Sequence, residues 1–164
     1  MQYLGDFMPR ITPFLWFDNN AEEAMNFYVS IFKNSRVGTT SRYGEGGPMP
    51  AGTFMVGTFY LDGQEFMALN GGPHYKLNPA FSMLVNCETQ EEIDYYWEKL
   101  TADGGKEVQC GWLEDKFGLS WQITPAEFFE LIDKGDEAKT NRMMQALMGM
   151  VKLDIAALKK AYDG

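Results

Sequence analysis

Apolar positions near the start of the chain pass from a continuous run to a helical period. The run covers Ile11–Phe17, and the apolar residues that follow recur at the spacing of one helix face. Between the two patterns, Asn19 or Asn20 can cap a helix. The pattern therefore predicts a strand over Ile11–Phe17 and an amphipathic helix over Ala21–Phe32.

The same order of elements returns later in the chain. An apolar strand pattern over Phe81–Cys87 is followed by Thr89, which can cap a helix over Gln90–Asp103 and begins a capping box. One constant shift along the sequence places Phe27-Tyr28 on Tyr96-Trp97, so the two helices carry aromatic residues at matching positions. The sequence thus predicts two related strand–helix units.

After each predicted helix the apolar residues alternate with polar ones, which is typical of strands. The alternation predicts three strands in each half, over Ser35–Tyr43, Thr53–Leu61, Gln64–Asn70, Lys106–Gln109, Trp112–Lys116 and Ser120–Thr124. Each half is then a βαβββ module, over about residues 11–70 and 80–125. Because neither module alone can bury both its helix and its sheet, we expect them to form one α+β domain over residues 10–125.

A helical tail is predicted over residues 126–164. Helical patterns cover Ala126–Asp133 and Asp136–Met150, and Asp154 can cap a last helix. Methionines recur on the middle helix, and such faces are more often packing surfaces than binding sites. We expect the tail to pack on the same domain.

Charge and composition restrict the partners of the chain. A formal net charge of −9, from 23 acidic and 14 basic residues, disfavours nucleic acid and anionic membranes, because both are polyanions. No apolar run reaches the ~20 residues that span a bilayer. Residues 1–10 lack the pattern of a secretory signal, and two cysteines are too few for a disulfide framework. These features predict a cytoplasmic protein.

Three segments carry a resemblance to a known family: FYVSIF, QEEIDYYWEKL and CGWLEDKFGLSWQITP. With the paired βαβββ pattern, they resemble the PhnB-like family of the glyoxalase, bleomycin-resistance and dioxygenase superfamily, whose fold is called the vicinal oxygen chelate fold. The resemblance extends over about residues 10–160. It implies a cup-shaped eight-stranded sheet that encloses a small-molecule cavity, usually in a homodimer that can share strands.

The resemblance also identifies the positions where metal-dependent relatives place their ligands. These positions are Pro13 and Met67 in the first module, and Ser82 and Gln122 in the second. Proline and methionine are not ligands for hard cations, serine is a weak ligand, and glutamine is neutral. We therefore expect neither a metal ion nor another cofactor.

Alternation along the strands predicts which side chains face the cavity. Ser120 and Gln122 should face it while Trp121 and Ile123 pack under the helices, and Glu65 should share a face with Met67. The predicted ligand-binding residues, drawn from the strands and from the loop that contains the only histidine, are Leu15, Phe17, Glu65, Met67, His74, Ser82, Ser120 and Gln122. Leu84 adds apolar surface. The alternative is that these residues only fill a closed barrel.

Other reactive side chains give weaker indications of chemistry. His74 could act as a general base, but the sequence offers it no carboxylate partner, and a loop histidine with local hydrogen bonds is the simpler interpretation. Cys110 lacks a neighbour that would activate a thiol, so a buried, inert cysteine is expected. No catalytic residue is assigned.

Three hypotheses for the function follow. The leading one is metal-independent binding of a small molecule in the cup. The second is a metal-dependent enzyme of the glyoxalase or dioxygenase type, in which Glu65, His74 and Gln122 meet around a divalent ion. The third is a structural dimer with a vestigial cavity. The methyltransferase label often attached to PhnB-like proteins finds no support, because neither Gly44–Gly47 nor Gly71-Gly72 lies between a strand and a helix as in a nucleotide-binding loop.

Overall fold

The structure is a computed structural model that describes residues 11–164. The chain divides into two compact units, Met1–Lys76 and Leu77–Gly164, and each contains one βαβββ module. The eight predicted strands form two four-stranded sheets, one in each unit. The α+β class, the paired modules and the C-terminal helical tail are thereby confirmed.

The first unit consists of one helix and a mixed four-stranded sheet. Its elements are β1 Phe14–Phe17, α1 Ala21–Ile31, β2 Arg36–Arg42, β3 Phe54–Leu61 and β4 Gln64–Asn70. The strand order is β1-β4-β3-β2, with β1 parallel to β4 and the other pairs antiparallel. The parallel pair arises because the chain crosses over through α1 and then returns beside β1 by way of two antiparallel neighbours.

Helix α1 packs on β3 and β4 through aromatic and methionine side chains. The ring of Phe59 stacks on Tyr28 of the helix at 6.2 Å and on Phe66 of the neighbouring strand at 5.4 Å. Gly57 allows the helix to approach closely, because a Cβ there would lie 2.8 Å from Cε of Met25. One face of the sheet is therefore covered by the helix.

The start of helix α1 is held by a residue from β4. Asn20 occupies the N-cap position, but its side chain makes no capping hydrogen bond. Instead, the backbone N–H of Ala21 donates to Oδ1 of Asn70 at 2.8 Å, and Nδ2 of Asn70 donates to the carbonyl of Phe54 at 3.1 Å. The predicted local cap is thus replaced by a buried amide that also ties the helix to the sheet.

The second unit repeats this arrangement and adds three helices. Its elements are β5 Ser82–Cys87, α2 Gln90–Thr101, β6 Lys106–Glu107, β7 Trp112–Glu114, β8 Ser120–Pro125, α3 Ala126–Asp133, α4 Glu137–Met148 and α5 Ile155–Asp163. The strand order is β5-β8-β7-β6, again with one parallel pair at one end. A 3-10 turn over Ala102–Gly104 ends α2.

Helix caps in the second unit follow the local sequence. Oγ1 of Thr89 accepts from the N–H of Glu92 at 3.2 Å, and the carboxylates of Asp136 and Asp154 cap α4 and α5 in the same way. Pro125 stands at the N-cap position of α3, and the helix covers the predicted range Ala126–Asp133. The predicted caps Thr89 and Asp154 are confirmed, whereas Asp136, which was predicted as the first residue of its helix, is the N-cap of α4.

The helical tail packs on the second module and has its own apolar cluster. The backbone N–H groups of Cys110 and Gly111 donate to the carbonyls of Met150 and Val151, each at 2.8 Å. The buried cluster of the tail consists of Phe128, Leu131, Met143, Leu147, Leu153, Leu158 and Tyr162. Its methionine is fully buried, which supports the packing interpretation of this helix, whereas Met148 is exposed. No helix in residues 11–164 has both the length and the apolarity needed to cross a membrane.

Candidate functional site

Each sheet has one face covered by its helix and one face that the helix leaves open, which we call the open face. In the second unit, Leu113, Trp121 and Ile123 are fully buried on the covered face. The strand register places Leu84 and Trp112 on either side of Gln122, so these three residues share the open face. Leu84 is exposed, and Gln122 and Trp112 are half-buried.

Gln122 lies at the centre of this open face and contacts Ser82. Its Nε2 donates to Oγ of Ser82 at 2.9 Å, which leaves Oε1 of the amide as an acceptor. Ser120 pairs with Ser82 in the parallel register and is buried beside it. The structure thus brings three of the predicted site residues together, between Leu84 and Trp112. Their role in ligand binding stays a prediction.

A charged pair borders this group. Ser120 lies opposite Glu114 of β7, and Oε1 of Glu114 accepts from Nζ of Lys106 at 2.8 Å. The lysine side chain is largely exposed, so the ion pair adds little stability and leaves both charges available to a polar ligand.

The open face of the first sheet also carries a group of polar side chains, centred on Glu65 of β4. Glu65 accepts from the Tyr60 hydroxyl at 2.8 Å and from the Thr12 hydroxyl at 3.2 Å. The hydrogen bond to Glu65, with burial and the carboxylate charge as further causes, raises the pKa of Tyr60 above its ordinary value. The guanidinium of Arg36 lies 3.8 Å from the centre of the Tyr60 ring.

Met67 shares this face with Glu65, as the sequence predicts, but Leu15 and Phe17 do not. Leu15 pairs with Ala68 and Phe17 with Asn70, on the face that helix α1 covers. They are 2% and 4% exposed, so they belong to the core. The prediction that groups them with Glu65 and Met67 is wrong. Because the first strand is apolar on both faces, alternation could not distinguish the two.

Aromatic residues on the open faces escaped the sequence analysis. Trp16, next to the buried Leu15, donates from Nε1 to the carbonyl of Gly72 at 3.0 Å and contacts the Tyr75 ring edge-on at 5.1 Å. Tyr60, Trp112 and Phe14, which pairs with Met67, also lie on the open faces. Tyr60 pairs with Glu65 and Trp112 with Gln122, so the register with a predicted site residue was the signal that could have found these three. Trp16 pairs with Leu69 and had no such signal.

His74 lies in the connection between β4 and β5 and is exposed. Within residues 11–164, no described hydrogen bond or ion pair involves its ring. The part of the chain that the structure describes also contains no group of three His, Cys, Asp or Glu side chains that could hold a metal ion. The glycine segments Gly44–Gly47 and Gly71-Gly72 each connect one strand to another strand.

The two cysteines are free thiols in different surroundings. Burial, with the nearby carboxylate of Glu92 as a second cause, raises the pKa of the Cys87 thiol to about 12. Cys110 is only partly buried, and its Sγ lies 3.9 Å from Sδ of Met148. The expectation that Cys110 is buried is therefore only half right, because the tail covers one side of it.

The paired βαβββ modules define the glyoxalase, or vicinal oxygen chelate, class of fold. A sequence model of the family described as 3-demethylubiquinone-9 3-methyltransferase matches residues 9–124. The chain is also 45% identical to a putative 3-demethylubiquinone-9 3-methyltransferase, PhnB protein, from Bacillus cereus, with 72% of this chain and 100% of that chain covered and a TM-score of 0.67. The chain belongs to this PhnB-like family. No curated protein matches it.

More distant structures share only the fold. Protein PA1353 from Pseudomonas aeruginosa is 22% identical, with 70% of this chain and 95% of that chain covered and a TM-score of 0.57. The fosfomycin resistance protein FosX from Listeria monocytogenes, complexed with Mn(II) and sulfate, is 14% identical, with 77% and 96% covered and a TM-score of 0.50. The family match ends at Thr124, so the helical tail, which the resemblance was expected to include, lies outside it.

Proposed function

We propose that this protein binds a small molecule against the open faces of its sheets, without using a metal ion. The observation that carries the proposal is the hydrogen bond from Nε2 of Gln122 to Oγ of Ser82 at 2.9 Å. It fixes the orientation of the amide and leaves the oxygen, Oε1, as an acceptor for a ligand donor. The flanking residues Leu84 and Trp112 supply apolar surface around this polar pair, which is the usual composition of a small-ligand site.

The ligand chemistry at these positions supports binding without a metal ion. A neutral amide and a hydroxyl hold a divalent cation poorly, because neither offers the negative charge that offsets the loss of its hydration shell. In the first module the matching position is Met67, a soft thioether. Glu65, the carboxylate nearest to it in sequence, already accepts hydrogen bonds from Tyr60 and Thr12.

The methyltransferase reaction in the family description is not proposed for this chain. A methyl donor with a nucleoside group would need a glycine-rich turn between a strand and a helix, or an equivalent cradle. Gly44–Gly47 and Gly71-Gly72 connect strands.

We also infer a homodimer in the cytoplasm. Phe14 of the edge strand β1 is 50% exposed, and Ile11, just before that strand, is 88% exposed; edge strands with large apolar side chains tend to be covered by a partner. Both cysteines are free, which agrees with a reducing compartment.

A ligand screen on metal-free protein tests the proposed binding. Protein treated with a chelator would be screened for compounds that raise its melting temperature, and each compound found would be titrated by calorimetry. We expect Gln122→Ala to weaken binding about tenfold, as expected for the loss of one well-formed hydrogen bond. Gln109→Ala, which removes an exposed amide from the same module, should leave the affinity unchanged.

Two results would contradict the proposal. The first is binding that disappears with the chelator and returns with a stoichiometric divalent ion. The second is a compound whose affinity is the same for Gln122→Ala and for the wild type, because the site would then lie elsewhere.

A further inference from the structure

The helical tail forms a cavity of about 330 Å³, open to solvent on one side, between α3, α4 and α5. Each helix segment contributes one lysine to the lining: Lys134 at the end of α3, Lys139 on α4 and Lys159 on α5. The volume is at the small end of the range for small-molecule sites. The lining lies entirely beyond Thr124, where the family match ends, so this cavity is separate from the open faces.

The lining is electropositive in a chain that is acidic overall. Nζ of Lys159 is paired with Oε2 of Glu127 at 2.6 Å, so these two charges largely cancel. Lys134 and Lys139 then face one further lining carboxylate, that of Asp163. The cavity therefore keeps an excess of positive charge, whereas the chain has a formal net charge of −9. A concave surface of one sign concentrates ligands of the opposite sign.

Lys139 stands where helix stability does not favour a lysine. It is in the first turn of α4, next to the N-cap Asp136, whose Oδ1 accepts from the N–H of Lys139 at 3.0 Å. The positive end of a helix dipole disfavours cations in the first turn. The Lys139 ammonium instead lies 5.3 Å from the centre of the Tyr162 ring, which also lines the cavity. The ring thus holds this charge at the cavity wall.

We propose that this cavity binds the phosphate group of a small phosphate monoester. Lysine acts as a point charge that suits a phosphate dianion, whereas a carboxylate is recognised best by the planar fork of arginine, and no arginine lines the cavity. The phosphate is placed on the side of Lys134 and Lys139 and the rest of the ester beside Tyr162, because all three residues line the same cavity.

Calorimetric titration with glycerol 3-phosphate tests this proposal, at low ionic strength and about pH 7.5, where the ester is mostly a dianion. The wild type should bind one equivalent saturably. Lys139→Gln and Lys134→Gln should each bind about tenfold more weakly or less. Lys33→Gln, an exposed lysine of the first unit, removes the same charge and should leave the affinity unchanged. Melting curves of all four proteins would establish that each is folded.

Titrations with inorganic phosphate and acetate test whether the cavity recognises the whole phosphate ester or any small anion. Glycerol 3-phosphate should bind more tightly than either, because only the ester has both the dianion and a body that fills the cavity. The proposal is overturned if saturation is not reached by about 10 mM, if Lys33→Gln weakens binding as much as Lys139→Gln, or if inorganic phosphate or acetate binds as tightly as the ester.

Discussion

The indole of Trp121 donates from Nε1 to Oδ2 of Asp115 at 2.8 Å, and both side chains are 2% exposed. The other oxygen, Oδ1, accepts from the backbone N–H groups of Phe117 at 2.8 Å and Leu119 at 3.1 Å. One buried carboxylate therefore holds both the turn between β7 and β8 and the largest buried side chain of that sheet. The strand that presents Gln122 begins directly after this turn.

Replacing Asp115 with asparagine should destabilise the second unit. The amide keeps one acceptor oxygen and turns an NH₂ group toward donors, so at least one hydrogen bond to a charged group is lost, at a cost of about 2 kcal/mol. Urea unfolding followed by tryptophan fluorescence would measure it. Asp133→Asn, at an exposed position, is the matched control and should change the free energy of unfolding by less than about 0.5 kcal/mol. Equal stability of the two variants would contradict the role of the buried carboxylate.

Asn70→Ala should destabilise the first unit for a related reason. It removes the acceptor for the N–H of Ala21 and the donor to the carbonyl of Phe54, and both partners are buried with Asn70. Leaving two such groups unsatisfied costs about 2–4 kcal/mol. Thermal unfolding by circular dichroism would measure the loss, with exposed Asn86→Ala as control. A melting temperature equal to that of the control would show that α1 does not depend on this cap.

The outcome for helix caps shows which features the sequence could predict. Thr89 and Asp154 cap their helices through residues three positions away, so a local pattern contains the whole interaction. Asn70 caps α1 from 49 positions along the chain, and only the tertiary pairing of β1 with β4 brings it there. The site residues also differ in how far the local sequence reveals their positions. Gln122 alternates clearly with buried neighbours, whereas Leu15 lies in a strand with no polar position to reveal its face.

The two thiols should react at very different rates. The pKa of Cys87 is raised to about 12 by burial, so the reactive thiolate is scarce, and the side chain is inaccessible. With an aromatic disulfide reagent at about pH 8, we expect one thiol, Cys110, to react in the folded protein and the second only after denaturation. Cys110→Ser should abolish the fast reaction. A fast reaction that persists in Cys110→Ser would contradict the burial of Cys87.

The raised pKa of Cys87 also predicts a contribution to the pH dependence of stability. The folded state keeps the thiol proton up to about pH 12, whereas an unfolded thiol loses it near the ordinary pKa of 9.0. The resulting stabilisation is complete below about pH 9 and is lost as the pH rises toward 12. The difference in free energy of unfolding between wild type and Cys87→Ala should therefore shrink over that window.

Gln122→Glu should not create a tight metal site. The new carboxylate would be one ligand beside the hydroxyl of Ser82, and a single carboxylate cannot hold a divalent ion against hydration. Calorimetric titration with zinc, nickel and manganese should give dissociation constants weaker than about 10 µM for this variant and for the wild type. Tight one-to-one binding by the wild type that disappears in Gln122→Ala would instead support a metal-dependent enzyme.

Multi-angle light scattering should give the mass of two chains, since the mass of one is 18.6 kDa. If the exposed apolar residues of β1 form the interface, Phe14→Glu should shift the protein toward the monomer, because it places a charge among them. Phe129→Glu, at an exposed aromatic on α3, is the control and should remain dimeric. A wild-type mass that stays that of one chain at every concentration would rule out the dimer.

The side-chain amide of Gln90 imitates a peptide group. Its Nε2 donates to the carbonyl of Leu153 at 3.1 Å, and its Oε1 accepts from the N–H of Ile155 at 2.9 Å. Together with the bonds from Cys110 and Gly111 to the carbonyls of Met150 and Val151, it attaches main-chain atoms of the tail, and an ion pair between Lys152 and Asp94 at 2.6 Å adds a side-chain contact. Main-chain recognition does not depend on the identity of the tail residues recognised, whereas Gly111 is restricted, because a Cβ there would lie 2.8 Å from Cγ of Leu153. The tail, which lies beyond the family match over residues 9–124, is thus joined to its module mainly through hydrogen bonds to backbone atoms.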